Sequence, residues 1–275
     1  MTSHTPFLDR YDDPTPPTVR GAWSDFWHRA FLPALGLWAL VVAVGLVIVG
    51  PLDGWRDEAR FNDWLQEGRT PLLDSLTYWW SRSGDVPPMT IACVVIGAFI
   101  WWRTGRWWIG VLPGVALALE AFVFLTATIV VGRERPDTPQ LDDAPPTSGY
   151  PSGHVGASAA FYLTLALLAR RITHPALRRV VMAVCVAIPI LIAFSRLYRG
   201  MHHASDVVMG AVNGVTCVVL AWRYLSRDPE KAEAGTSSDA DAGTDAGAGT
   251  EPDSDPGSEP GTDPGTRTIQ PVSGR

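Results

Sequence analysis

Six apolar runs, each close to twenty residues long, constrain this chain more than anything else in it. An α-helix rises 1.5 Å per residue, so about 20 apolar residues cross a hydrocarbon core of about 30 Å. In lipid every backbone N–H and C=O must be satisfied within the structure, and unbroken apolar runs do that as helices. The first run is AFLPALGLWALVVAVGLVIVG, ending near Pro51; the second covers about 87–102, the third 107–131. The fourth goes from His154 to Arg170, the fifth covers 180–195 and the sixth 203–222. The expected fold is all-α, an integral membrane six-helix bundle. Trp101, Trp102, Trp107 and Trp108 flank the second connection, where an interfacial aromatic belt belongs.

Basic residues orient the bundle. Arg20 and Arg29 precede span one, Arg103 and Arg106 lie between spans two and three, Arg170, Arg171, Arg178 and Arg179 between four and five, and Arg223 and Arg227 after six. With six spans these points share one side, which the positive-inside rule makes cytoplasmic. The expectation is a multi-pass plasma-membrane protein of bacterial type with both termini cytoplasmic. Residues 52–86, 132–153 and about 196–203 then form the extracytoplasmic face. In the first of these, Leu72, Leu73, Leu76, Tyr78, Trp79 and Trp80 suggest a short interfacial helix, read equally well as only a packed cap or as a cap that also borders a substrate entrance.

Composition separates the ends from the middle. Residues 1–28 are polar, acidic and Pro-rich without the pattern of a cleaved signal peptide, and read as a cytoplasmic leader. Residues 29–226 make the membrane domain. Residues 227–275 turn to Gly, Ala, Thr, Ser, Asp, Glu and Pro, a composition too poor in apolar groups to offset ordering entropy, and read as a disordered acidic cytoplasmic tail. From Asp228 onward eleven acidic residues face three basic ones, so the overall charge of −6 conceals a body of about +2. The tail likewise dilutes the mean hydropathy to +0.09. Cys93, Cys185 and Cys217 lie inside apolar runs without metal-ligand spacing and read as small packing residues. No cofactor and no metal are expected, and nothing in the charge pattern suggests nucleic acid.

Three polar clusters stand at helix ends on the outer face: GRERP (132–136), YPSGH (150–154) and SRLYRGMHHASD (195–206). Arg133, Arg135, Arg196 and Arg199 lie on the side usually poor in Arg. Ionisable groups at membrane depth are costly and so mark function. Guanidinium forks match phosphate oxygens, Ser152 adds a hydroxyl, Gly153 lets backbone approach an anion, and the following helix presents its free N–H groups. His202 and Asp206 are four apart, so on a helix Asp206 could hold one ring nitrogen and leave the other free to attack. The spacing leaves His203 open as an alternative. His154 stands by as a proton donor and acceptor.

These motifs resemble the type-2 phosphatidic-acid phosphatase family, the lipid phosphate phosphatases, in the superfamily that includes vanadium haloperoxidases. The family pattern is Lys, six residues, Arg-Pro; Pro-Ser-Gly-His; and Ser-Arg, five residues, His, three residues, Asp. Here stand Arg135-Pro136, then Pro151-Ser152-Gly153-His154, then Ser195-Arg196 with His202 and Asp206. The resemblance covers about residues 50–222 and selects His202 over His203. Its Lys position falls on Thr128, which carries no charge; Arg133 is the nearest substitute.

The resemblance implies a metal-independent phosphatase for a lipid phosphate or diphosphate of the polyprenyl diphosphate, phosphatidic acid or phosphatidylglycerophosphate type. Arg135, Arg196, Ser152 and Gly153 would hold the phosphoryl group, with Arg133 supplying the missing cation. His202 would attack phosphorus to give a phosphohistidine, His154 would protonate the leaving group and then activate water, and Asp206 would fix the His202 tautomer. Transfer of the same group to an acceptor alcohol, and a non-catalytic lipid-phosphate-binding member, are the competing readings. The expected partners are the lipid phosphate substrate and membrane lipids; assembly into a homo-oligomer is left open. Glu120, midway along span three, reads first as a structural polar contact, and Gly210 with Gly214 as a close helix-packing motif within the chain.

Overall fold

The computed structural model describes residues 11, 14–52, 56–143 and 147–225, the side chains of 56 and 57 excepted. The acidic tail and most of the polar leader lie outside these residues. Among the described residues all regular structure is helical. Helices α1 (Val19–Phe26) and α2 (Leu32–Val49) are joined by a π-helical turn, Trp27–Phe31, into one rod. Two short helices follow, α3 (Arg56–Glu67) and α4 (Pro71–Arg82). The remaining elements are α5 (Val86–Thr104), α6 (Trp107–Gly110), α7 (Leu112–Val131), α8 (Gly153–Ala169), α9 (Pro175–Tyr198) and α10 (Ala204–Trp222).

Six rods therefore carry the six apolar runs. Five are at least 18 residues long and apolar enough to cross a membrane. The sixth, α8, has 17 residues, which at 1.5 Å per residue reaches about 26 Å. The first rod starts ten residues before the expected edge of the membrane domain, because Thr18 caps it: its hydroxyl oxygen accepts from Gly21 N–H at 3.2 Å. Gly105 and Gly132, both at positive φ, end α5 and α7, where a left-handed residue closes the last turn.

The core of the bundle is α7, α8 and α10. Gly210 and Gly214 of α10 face α8: a Cβ on Gly210 would strike the Ser152 carbonyl, and one on Gly214 would meet Ala159 Cβ at 2.7 Å. The small-residue motif is thus used inside the chain, as read from the sequence. Since backbone, not a flexible side-chain tip, stands opposite, Gly214→Leu is expected to cost about 3 kcal/mol by overpacking. Thermal unfolding in detergent measures this; an unchanged melting temperature would mean that the α8–α10 contact opens freely.

The connection at 52–86 holds two helices where the sequence suggested one. Helix α4 packs along the end of α9: Tyr198 Oη donates to Asp74 Oδ1 at 2.8 Å, Thr70 N–H donates to Tyr198 Oη at 2.9 Å, and Ser195 Oγ donates to the Thr77 carbonyl at 2.7 Å. The cap reading holds, and its last residues, Gly84 and Val86, border the cavity described below. At the opposite end Tyr11 is buried, donating to the Trp222 carbonyl at 3.0 Å, and Arg106 donates to the Tyr11 carbonyl at 3.2 Å. The two ends of the bundle are therefore chemically distinct.

Candidate active site

At the end capped by α4, the loops 132–152 and 199–203 bring the three sequence clusters together. A cavity of about 370 Å³ opens there between α5, α7 and α8. Arg135, Ser148, Gly153, His154, Arg196 and His202 form its polar end. Its wall is Val86, Met89, Leu117, Phe124 and Leu125, with Glu120 on the inner side. The cavity thus pairs two guanidiniums and two imidazoles with an apolar flank.

His202 is buried, and its Nδ1 lies 2.7 Å from the Gly149 carbonyl oxygen. A carbonyl only accepts, so Nδ1 carries the proton and Nε2 keeps its lone pair. Burial first, and then the charges of Arg196 and Arg135, push the His202 pKa well below its usual value. The imidazole is consequently neutral at pH 7.

This corrects the assignment of the His202 partner to Asp206. Helix α10 begins at Ala204 with His203 as its N-cap, so His202 lies outside the helix and the i, i+4 argument does not apply. Asp206 Oδ2 is 3.9 Å from His202 Nδ1. It accepts instead from His203 N–H at 2.7 Å, in a capping box, while Oδ1 accepts from Arg133 Nη1 at 2.6 Å.

Arg133 is the second correction. It does not line the cavity. It is buried between Asp206 and Glu58, donating from Nη2 to Glu58 Oε2 at 2.8 Å and from Nη1 to Ser205 Oγ at 2.6 Å. Two buried carboxylates hold a cation more strongly than an open cavity can. Glu58, which sequence reasoning passed over, also accepts Ser205 N–H at 2.6 Å and so ties α3 to the start of α10. Thr128 does not replace the charge either; its hydroxyl donates to Ser148 Oγ at 3.0 Å and steadies the turn that carries the Gly149 carbonyl.

Arg135 and Arg196 do reach the cavity, each with part of its fork occupied. Arg135 Nη1 donates to the Met201 carbonyl at 2.8 Å, and Arg196 Nη1 donates to Ser81 Oγ at 2.8 Å and Asp142 Oδ2 at 3.1 Å. Their Nε groups are buried without a protein acceptor, and so is Ser152 Oγ. Each buried unpaired polar group costs about 1–3 kcal/mol. Two guanidinium N–H groups left in this state on residues that line one cavity fit an anion rich in acceptors. Ser152 itself is fully buried behind Gly153, and Gly153 is held free of a side chain by the Phe124 ring, 2.8 Å from where a Cβ would stand. Arg199 is spent elsewhere: Asp142, the Leu141 and Asp74 carbonyls and Thr77 take its donors.

His154, in the first turn of α8, has Nε2 3.1 Å from Asp85 Oδ1. Glu120 accepts from Asn213 Nδ2 at 3.2 Å, the structural polar contact read from the sequence, while also bordering the cavity. Among the described residues no group of three or more His, Cys, Asp or Glu side chains could hold a metal ion.

Fold and site together define a helical membrane protein with a cationic, two-histidine cavity at one end of the bundle. Residues 109–230 match the model of the PAP2 superfamily. The fold is shared with the crystal structure of a transmembrane PAP2-type phosphatidylglycerolphosphate phosphatase from Bacillus subtilis: TM-score 0.58, 20% identity, 74% of this chain and 94% of the other covered. LpxE from Aquifex aeolicus aligns at TM-score 0.49 and 20% identity over 60% of this chain and 94% of its own. No curated protein matches the sequence.

Proposed function

We propose that the protein is a phosphatase of the membrane that hydrolyses a lipid phosphate or diphosphate through a phosphohistidine. The observation that carries this reading is the cavity: Arg135, Arg196, His154 and His202 at one end, and an apolar wall at the other. The guanidinium donors and the first-turn N–H groups of α8 receive the phosphoryl oxygens. His202 Nε2 attacks phosphorus; the P–N bond forms as the bond to the leaving oxygen breaks. His154 gives that oxygen its proton. Water then attacks phosphorus, His154 takes the water's proton, and the P–N bond breaks to restore the His202 lone pair. Charge developing on the phosphoryl oxygens is met by arginines already in place.

The match of residues 109–230 to the superfamily model and the likeness of fold to the Bacillus subtilis phosphatase support the reaction class. The wall lies between α5 and α7, and α5 exposes Ile91, Val94, Val95 and Phe99. An acyl or prenyl chain can therefore stay in lipid while the head reaches the arginines. The basic residues of the opposite end support an orientation with both termini in the cytoplasm and the cavity outside. Polyprenyl diphosphate, phosphatidic acid and phosphatidylglycerophosphate all fit this chemistry.

The test is phosphate release by the purified protein in detergent from these three lipids, with EDTA present. Release that resists EDTA supports the reading and ranks the substrates. A folded protein that releases nothing from any of them would overturn it.

A further inference from the structure

Asp85 is the N-cap of α5, a position where an Asp side chain ordinarily accepts from the N–H groups of the first turn. Here it makes no such bond. Its carboxylate is turned toward α8 and α4 instead, with Oδ1 3.1 Å from His154 Nε2 and Oδ2 3.2 Å from Arg82 Nη1. A local stabilisation worth about 1 kcal/mol is thus given up for a contact between α5 and α8. His154 shares the cavity with His202, and Asp85 ends one residue before Val86 on its wall.

We infer that Asp85 is a positioning residue that holds His154 as the proton donor of the reaction. This rests on the phosphatase reading above. A carboxylate only accepts, so Nε2 keeps a proton pointed at Asp85 and Nδ1 is the nitrogen left for transfer. In the first half-reaction the imidazolium passes its Nδ1 proton to the leaving oxygen as the P–O bond breaks. In the second, neutral Nδ1 takes a proton from water. Asp85 stabilises the imidazolium in both halves and is not itself protonated. Its own pKa is held below the ordinary carboxylate value, first by the His154 hydrogen bond and also by Arg82, so it remains an anion in this range. The other charged or titratable groups facing His154 are Arg196 from α9, Asp142 from the 132–152 loop and His202 from the loop before α10; Glu120 of α7 borders the same cavity.

The experiment compares wild type, Asp85→Asn and Asp85→Glu on two substrates: lysophosphatidic acid, with an alkoxide leaving group, and p-nitrophenyl phosphate, whose phenolate leaves without a proton. The readout is kcat/KM, which covers steps through departure of the leaving group. Asp85→Asn should lose about 100-fold on the alkyl substrate, the lower end of general-acid assistance, and less than about threefold on the aryl one. The alkaline limb on the alkyl substrate should move to lower pH, and Asp85→Glu should recover part of the loss. Equal losses on both substrates, no loss on either, or an unmoved alkaline limb would overturn the inference and leave Asp85 a structural tie. Thermal unfolding of each variant separates a folding defect, and Asp85→Glu keeps the charge if Asp85→Asn does not fold. A wild type inactive on both substrates would instead overturn the phosphatase reading beneath it.

Discussion

His202→Ala should lower phosphate release by a factor on the order of 10⁴ or more, the range seen when a nucleophile is removed from a site that keeps its binding groups. The lone pair on Nε2 is fixed by the bond from Nδ1 to the Gly149 carbonyl, and no other imidazole in the cavity has that arrangement. The protein should stay folded, since leaving the Gly149 carbonyl without its donor costs about 1–3 kcal/mol, less than a typical stability of about 5–15 kcal/mol. The measurement is single-turnover release beside a thermal unfolding curve, with added imidazole as a rescue. Substantial release by a folded His202→Ala protein would end the phosphohistidine mechanism.

The same group sets a pH dependence. Burial, with Arg196 and Arg135, lowers the His202 pKa well below 6.5 in the folded protein. The nucleophile should therefore remain neutral below pH 6.5, and the acid limb of the rate profile should not fall at an ordinary histidine value. For stability the sign is fixed likewise. Above about pH 6.5 neither state protonates this ring; as pH falls from there toward the native pKa the unfolded chain gains a proton that the native state refuses, and stability is lost.

Arg133→Ala should have the largest effect on folding. It would leave Glu58 and Asp206 as buried carboxylates facing each other without the cation between them. Breaking a buried ion pair on one side costs about 3–5 kcal/mol, a large share of a typical stability of about 5–15 kcal/mol. The expected result is a large drop in melting temperature, partly restored in Arg133→Lys. A variant that melts like wild type but shows a raised KM would instead place Arg133 on the phosphate, as the sequence alone had suggested.

Much of the fold was legible because its signals are local. Apolar runs longer than any soluble core needs, ended by Gly105 and Gly132, specify membrane helices wherever they pack. Motif spacing likewise brought Arg135, Gly153, His154, Arg196 and His202 onto one list, and one cavity holds them. The misreadings all concern which charge meets which. Spacing suggested Asp206 for His202, but α10 starts two residues later, and the ring turned to a backbone carbonyl that has no sequence signature. Arg133 looked like a spare cation two residues from Arg135, yet Glu58, 75 residues away along the chain, takes it.

The sequence by itself determined the all-helical membrane class, the number of rods and the residues that meet at one end, because hydropathy and motif spacing are properties of neighbours along the chain. Only the tertiary structure decided the partners: Gly149 for His202, Asp85 for His154, Glu58 and Asp206 for Arg133, Asp142 for Arg196 and Arg199. A buried charge pairs with whichever opposite group lies within about 3 Å, and that distance is set by how α3, α4, α5 and the 132–152 loop pack over the ends of the long helices.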